Sequence, residues 1–66
     1  MFTWHYLDES GAELGTSHAF PDQASAEAWM GDAWSGLRER GVEDVALIDE
    51  ERGRRIYRMG LADEPA

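Results

Sequence analysis

The hydrophobic pattern of this chain supplies one good helix for four strands, and those strands are apolar at both parities. A helix covers a single face of a sheet, so a second face is left to another copy of the chain, a partner or water. Phe2 to Leu7 alternates the rings of Phe2, Trp4 and Tyr6 with Thr3, His5 and Leu7, the period-two signature of a strand. Asp8 to Gly11 is turn-forming, with Gly11 free to take a positive φ. Leu14 to Phe20 reads as the returning strand. With Leu7 opposite Leu14, one face carries Thr3, His5, Leu7, Leu14, Thr16, His18 and Phe20. The other sets Phe2, Trp4 and Tyr6 beside Gly15, Ser17 and Ala19, large rings next to small residues, which suits a surface that a helix packs onto.

The helix is predicted from Asp22, a side chain able to accept from backbone N–H groups at an N-cap, to about Arg40, with Gly41 as the stop. Asp22 and Glu27 near its start and Arg38 and Arg40 near its end complement the helix dipole. Ala26, Trp29, Met30, Ala33 and Leu37 form its apolar stripe. Trp34 falls roughly 80° from the centre of that stripe. It is either a ring over the rim of the core with Arg38 stacked on it, or an exposed anchor for a partner. Gly31 and Gly36 inside the helix are read as marks of close packing.

Val42 to Ile48 and Arg55 to Met59 are the remaining strands, joined by a turn in which Asp49 is expected to pair with Arg54. The predicted fold is α+β: a four-stranded antiparallel sheet with one helix on one face, in the order β-β-α-β-β. Residues 1–59 form one domain, and residues 60–66 are expected to be a flexible acidic tail. The uncovered face is expected to show His5, Leu7, Leu14, Phe20, Val45, Leu47 and Ile56, enough apolar surface to call for another chain. The candidate interface residues are Trp34, His5, Leu7, Leu14, His18, Phe20, Arg54 and Arg58.

Sixty-six residues bury only about 60% of the surface that the unfolded chain exposes, so help from disulfides, metals or oligomerisation is usual. With no cysteine, oligomerisation is the remaining helper. The net charge is −8, and all six basic residues are arginines lying between Arg38 and Arg58. A domain this acidic repels a phosphate backbone, so no nucleic-acid partner is expected. His5 and His18 as diagonal neighbours could start a metal site, but no further ligand shares their face, and no metal or other cofactor is expected. Ser17 beside His18 raises nucleophilic catalysis, for which one helix on a small sheet offers little concavity, so the chain is read as non-enzymatic. The opening Met1-Phe2-Thr3-Trp4-His5 has neither a basic region nor a long apolar run, and the protein is expected in the cytoplasm, without a membrane.

The runs Leu7-Asp8-Glu9-Ser10-Gly11-Ala12-Glu13-Leu14-Gly15 and Phe20-Pro21-Asp22-Gln23-Ala24-Ser25-Ala26-Glu27-Ala28-Trp29-Met30 resemble short acidic proteins of high-GC Gram-positive, actinobacterial, bacteria. The Arg-only, Ala- and Gly-rich composition fits a GC-rich genome; this resemblance implies a source and a size but no activity. The opening hairpin before an amphipathic helix is also similar to the antitoxin half of HicAB-type pairs, without that family's extra strand and Pro-Gly-Cys turn. The expected function is a small protein-interaction module, homodimeric through the uncovered face or an edge strand. The alternative is an acidic regulator, DNA-mimic or antitoxin-like, that occupies a basic protein surface.

Overall fold

The computed structural model describes residues 1–61. Strand β1 spans Phe2–Leu7, β2 Glu13–Thr16, helix α1 Gln23–Glu39, β3 Asp44–Asp49 and β4 Arg54–Gly60. The sheet is antiparallel with order β2-β1-β3-β4, so β1 and β3 are central and β2 and β4 are its edges. This is the α+β arrangement that the hydrophobic pattern predicts.

Local chemistry sets the elements. Asp22 caps the helix by accepting from the Ser25 N–H at 2.7 Å. That bond holds the Asp22 carboxyl below its usual range. Gly41, at φ 93°, ends the helix in the left-handed region, and its N–H closes on the Arg38 carbonyl. In the first hairpin the Asp8 carboxylate accepts from the Ser10 and Ala12 N–H groups, and Gly11 turns the chain at φ 86°.

Helix and sheet enclose Trp4, Phe20, Ala26, Met30, Leu37, Val42, Val45, Leu47 and Leu61, with Phe2, Tyr6, Trp29, Ala33 and Tyr57 packed against them. Trp4 is fully buried, and its indole N–H donates to the Ala26 carbonyl at 2.8 Å. A buried donor left unpaired would cost about 1–3 kcal/mol, so this bond pins the helix over β1. The ring of Tyr57 meets Trp4 edge-on at 5.9 Å.

Several expectations are corrected. The register of Tyr6 with Gly15 and His5 with Thr16 holds, but Leu7 pairs with Glu13, and Leu14 is left in a bulge, 53% exposed. Strand β2 ends at Thr16, four residues short of the expected Phe20. Phe20 instead meets Phe2 in a separate bridge, one residue out of step with the hairpin. A shift of one residue exchanges the faces of a strand, so Phe20 turns into the core, 6% exposed. Val45 and Leu47 also lie on the helix side, opposite Tyr6 and Trp4, and neither is exposed. Gly60 belongs to β4 and Leu61 to the core, so the domain runs past residue 59; the expected tail beyond residue 61 lies outside the described residues.

Candidate functional site

The helix-free face of the sheet is where the pattern predicts an apolar surface. By register it carries Thr3, His5 and Leu7 on β1, Glu13 and Thr16 on β2, Asp44, Ala46 and Ile48 on β3, and Arg55 and Arg58 on β4. It is mostly polar, and its charges are paired. His5 Nδ1 lies 2.5 Å from Glu13 Oε1 and His5 Nε2 lies 3.0 Å from Glu50 Oε2, so the ring links β2 to the β3–β4 turn. The Thr3 hydroxyl also donates to Glu50. Only an imidazolium donates from both nitrogens. Partial burial, the largest single effect, pulls the His5 pKa down, but the bonds to Glu50 and Glu13 and their charges outweigh it and raise the pKa above 6.5. The Thr3 and His5 bonds hold Glu50 below its usual range. Arg58 grips Asp44, with its Nε 2.7 Å from Oδ2 and Nη2 on the same oxygen. Ala46 sits in register between His5 and Arg58 and is only 3% exposed.

His18 and His5 are therefore on opposite sides of the sheet. The His18 ring stacks 4.3 Å from Phe20 and 5.6 Å from Trp29, a roof over one end of the core. The Ser17 hydroxyl accepts the Trp4 backbone N–H at 2.9 Å and donates to the His18 carbonyl, which satisfies the backbone where β2 breaks off. Both residues serve the fold at this point. Asp49 and Arg54 do face each other in register, but the ion pair of Asp49 is with Arg52, at 3.8 Å. Gly31 and Gly36 have open space where a side chain would be, so close packing does not account for them among the described residues.

Of the other exposed apolar groups, Ile56 and Met59 lie on the edge strand β4, Trp34 on the helix, and Met1 beside the β3–β4 turn. Tyr57 Oη donates to Glu27 Oε2 at 2.8 Å, so the Glu27 flank of the helix overhangs β4. Burial, then the Glu27 bond and charge, push the Tyr57 hydroxyl up to about 12. Trp34 follows Glu27 by seven residues, two turns further along the same flank. Ala26 lies over Trp4 and the Arg40 charge is felt at Tyr6, so the helix runs in the direction of β1, which is also the direction of β4. Two turns beyond Glu27 is thus the Met59 end of the strand. Trp34 is 39% exposed and Met59 37%. Trp34, Ser35, Arg38 and Glu39 line a shallow depression on the helix surface.

The backbone of this edge is also open. Leu61 N–H donates to the Glu43 carbonyl, and hydrogen bonding alternates along an antiparallel strand. Tyr57 and Met59 therefore bond inward to β3, and the N–H and C=O of Arg58 and Gly60 project outward. Arg54 and Arg55 make no ion pair among the described residues. Among those residues no helix is long and apolar enough to cross a membrane, and no group of three or more His, Asp or Glu side chains is placed to hold a metal.

Of the residues singled out from sequence, Arg54 and Arg58 lie on β4, with Arg58 on the helix-free face, Trp34 lies on the helix, His18 and Phe20 pack on the helix side at one end of the core, and His5, Leu7 and Leu14 lie on or beside β1 and β2. Met59 and Gly60 are the edge residues that sequence reasoning missed. The signal for them was the apolar Met59 followed by a glycine between Arg58 and Leu61. Comparison with protein-family models, curated proteins and solved structures finds no match to this chain.

Proposed function

We propose that the protein is a non-enzymatic protein-interaction module that binds another polypeptide by strand addition at the β4 edge. The observation that supports this reading is the coincidence, on one seven-residue strand, of outward backbone groups at Arg58 and Gly60 with the exposed side chain of Met59 between them, on the side that the Glu27 flank of the helix faces. Main-chain bonds at a sheet edge supply affinity, and alternate side chains supply selectivity. The helix-free face is a poorer candidate, because its histidine, Thr3 and Arg58 already engage its carboxylates. The β2 edge has only four residues and a bulge, both devices that discourage pairing.

The acidic-regulator reading draws on the net charge of −8. Its acids are scattered over turns, helix and sheet, and Glu13, Glu50 and Asp44 are held in local pairs, which leaves no acidic ridge to favour it.

Residue-resolved hydrogen exchange tests the proposal, first on the purified protein over a range of concentrations and then with native cell extract. Binding at the edge slows the amides of Arg58 and Gly60, which exchange freely in the isolated monomer. Protection that develops on β2 or on the outer helix while those two amides stay free would reject it.

A further inference from the structure

The β3–β4 hairpin, residues 44–60, carries four acids and four arginines, and its acids are all engaged. Asp44 is held by Arg58, Asp49 by Arg52, Glu50 by Thr3 and His5, and Glu51 by the amino group of Met1 at 3.4 Å. That leaves Arg54 and Arg55, which are exposed and make no ion pair among the described residues. Both lie on the edge strand β4 and on opposite faces of it. Arg54 is on the helix side, opposite Asp49, and Arg55 on the helix-free side, opposite Ile48. We propose that the strand taken up at this edge is an acidic segment of a partner polypeptide, with its carboxylates on Arg54 and Arg55 and its backbone on Arg58 and Gly60; the inference rests on the β4 reading given above.

Charge complementarity selects this occupant. The net charge of −8 comes mostly from residues 1–37, which hold six acids and no basic residue, and physiological salt screens such charge beyond about 8 Å. With the acids of the hairpin held, the charge that meets an incoming strand at the turn end of β4 is positive. A guanidinium offers paired N–H donors that match a carboxylate, and a segment with two adjacent acids presents one to each face of the sheet. The pairing of β3 with β4 slips between Leu47 and Ile48, so Ile56 has no partner on β3 and divides the edge into two stretches. The segment meets them separately. Its acids lie beside Arg54 and Arg55, and its main-chain bonds form at Arg58 and Gly60, with an apolar side chain against the exposed Met59. The guanidinium of Arg58 is already bound to Asp44, so the acids belong at the turn end alone. Charged side chains on an edge discourage strands in general. These two also discriminate, because a strand with acids neutralises the arginines it meets and a neutral or basic one does not. A nucleic acid would suit the guanidinium groups, but it has no strand backbone to offer Arg58 and Gly60, and the net charge repels it.

Titration of the full chain with three capped synthetic peptides tests the assignment. One alternates valine and threonine after two opening aspartates; the others carry asparagines or lysines in place of the aspartates. Amide hydrogen exchange at Arg58 and Gly60 reports strand pairing, and the side-chain Nε–H resonances of Arg54 and Arg55 report the carboxylates. The aspartate peptide is expected to protect both amides, shift both side-chain resonances and bind about three- to tenfold more tightly than the asparagine peptide, an advantage that shrinks as salt is added. Arg54→Gln together with Arg55→Gln, at exposed positions where circular dichroism checks the fold, should abolish that advantage and leave the affinity of the asparagine peptide unchanged. An advantage that survives in this variant overturns the role of the two arginines. Asparagine or lysine peptides that bind and protect Arg58 and Gly60 as well as the aspartate peptide does overturn the acidic partner and leave the edge reading standing. Aspartate binding without protection of either amide, or no binding at all, overturns the proposal; if the amides also stay free in extract, the edge reading falls with it. A short single-stranded DNA that moves the Arg54 and Arg55 signals more strongly than the aspartate peptide overturns the peptide assignment in favour of phosphate.

Discussion

His5 needs a proton to hold both of its carboxylate partners, and that makes its ring the residue through which pH acts on this fold. Its folded pKa lies above the 6.5 of the free side chain, so its contribution is complete below 6.5 and is lost as pH rises through the folded value. Glu50 has the opposite sign. Its folded pKa lies below 4.5, so its contribution is present above 4.5 and is lost as pH falls through the lower folded value. Together they place the strongest clamp in mild acid, between 4.5 and 6.5. A thermal melt series from pH 5 to alkaline pH is expected to show the wild-type midpoint falling as His5 deprotonates. His5→Gln should flatten that slope. An identical slope in the variant would assign the loss to other groups.

Ser17, at the same scale, shows a side chain standing in for a missing strand partner. Its hydroxyl takes the Trp4 N–H where β2 has already ended. Ser17→Ala is expected to destabilise the protein by about 1–3 kcal/mol, because it leaves a part-buried backbone donor unpaired. Chemical denaturation would show this as a lower midpoint with an unchanged slope.

At the scale of elements, the helix combines a firm start and stop with a weakened middle. Gly31 and Gly36 stand in helical positions with nothing within 4 Å of where a Cβ would lie. Alanine at either position is expected to raise stability by up to about 1 kcal/mol in denaturant titrations. Gly41 behaves in the opposite way, since its φ of 93° belongs to the left-handed region. Gly41→Ala should cost about 1–2 kcal/mol. The three glycines, one residue type in one helix and its cap, are thus expected to respond with opposite signs, and a stabilising Gly41→Ala would contradict the cap. The strands show a parallel contrast. β1 and β3 are central and carry Trp4, Val45 and Leu47, whereas the two edges differ in length, seven residues for β4 against four for β2. The longer edge is the one with an apolar flank.

For the molecule as a whole, the small core and the open β4 edge belong to one problem. A chain of 66 residues has little apolar surface to bury, and a strand added at β4 would cover Met59. Binding that involves only the folded state raises the melting temperature with concentration. If the strand added at β4 comes from another copy, the wild-type midpoint is expected to climb as protein concentration rises, while Met59→Lys, which sets a charge on that edge, should melt at a constant temperature. A concentration-independent wild-type midpoint would place the protein among monomers stabilised by their own core.

The order of elements, the Asp22 cap, the Gly41 stop, the Gly11 turn and the apolar stripe of the helix were all legible in the sequence, because each rests on residues close together in the chain. So was the side of Phe2, Trp4 and Tyr6 that the helix covers. The apolar second face was not there to be found. One residue of slippage after Thr16 turns Phe20 inward and sends His18 onto Trp29. The pairing of β3 with β1 turns Val45 and Leu47 to the helix. Parity along a strand is local, but the face to which a parity belongs depends on how distant strands come into register. The tertiary structure therefore decided what the local pattern left open: the second face is closed by His5, Asp44 and Arg58, and the longer edge strand of the sheet is β4.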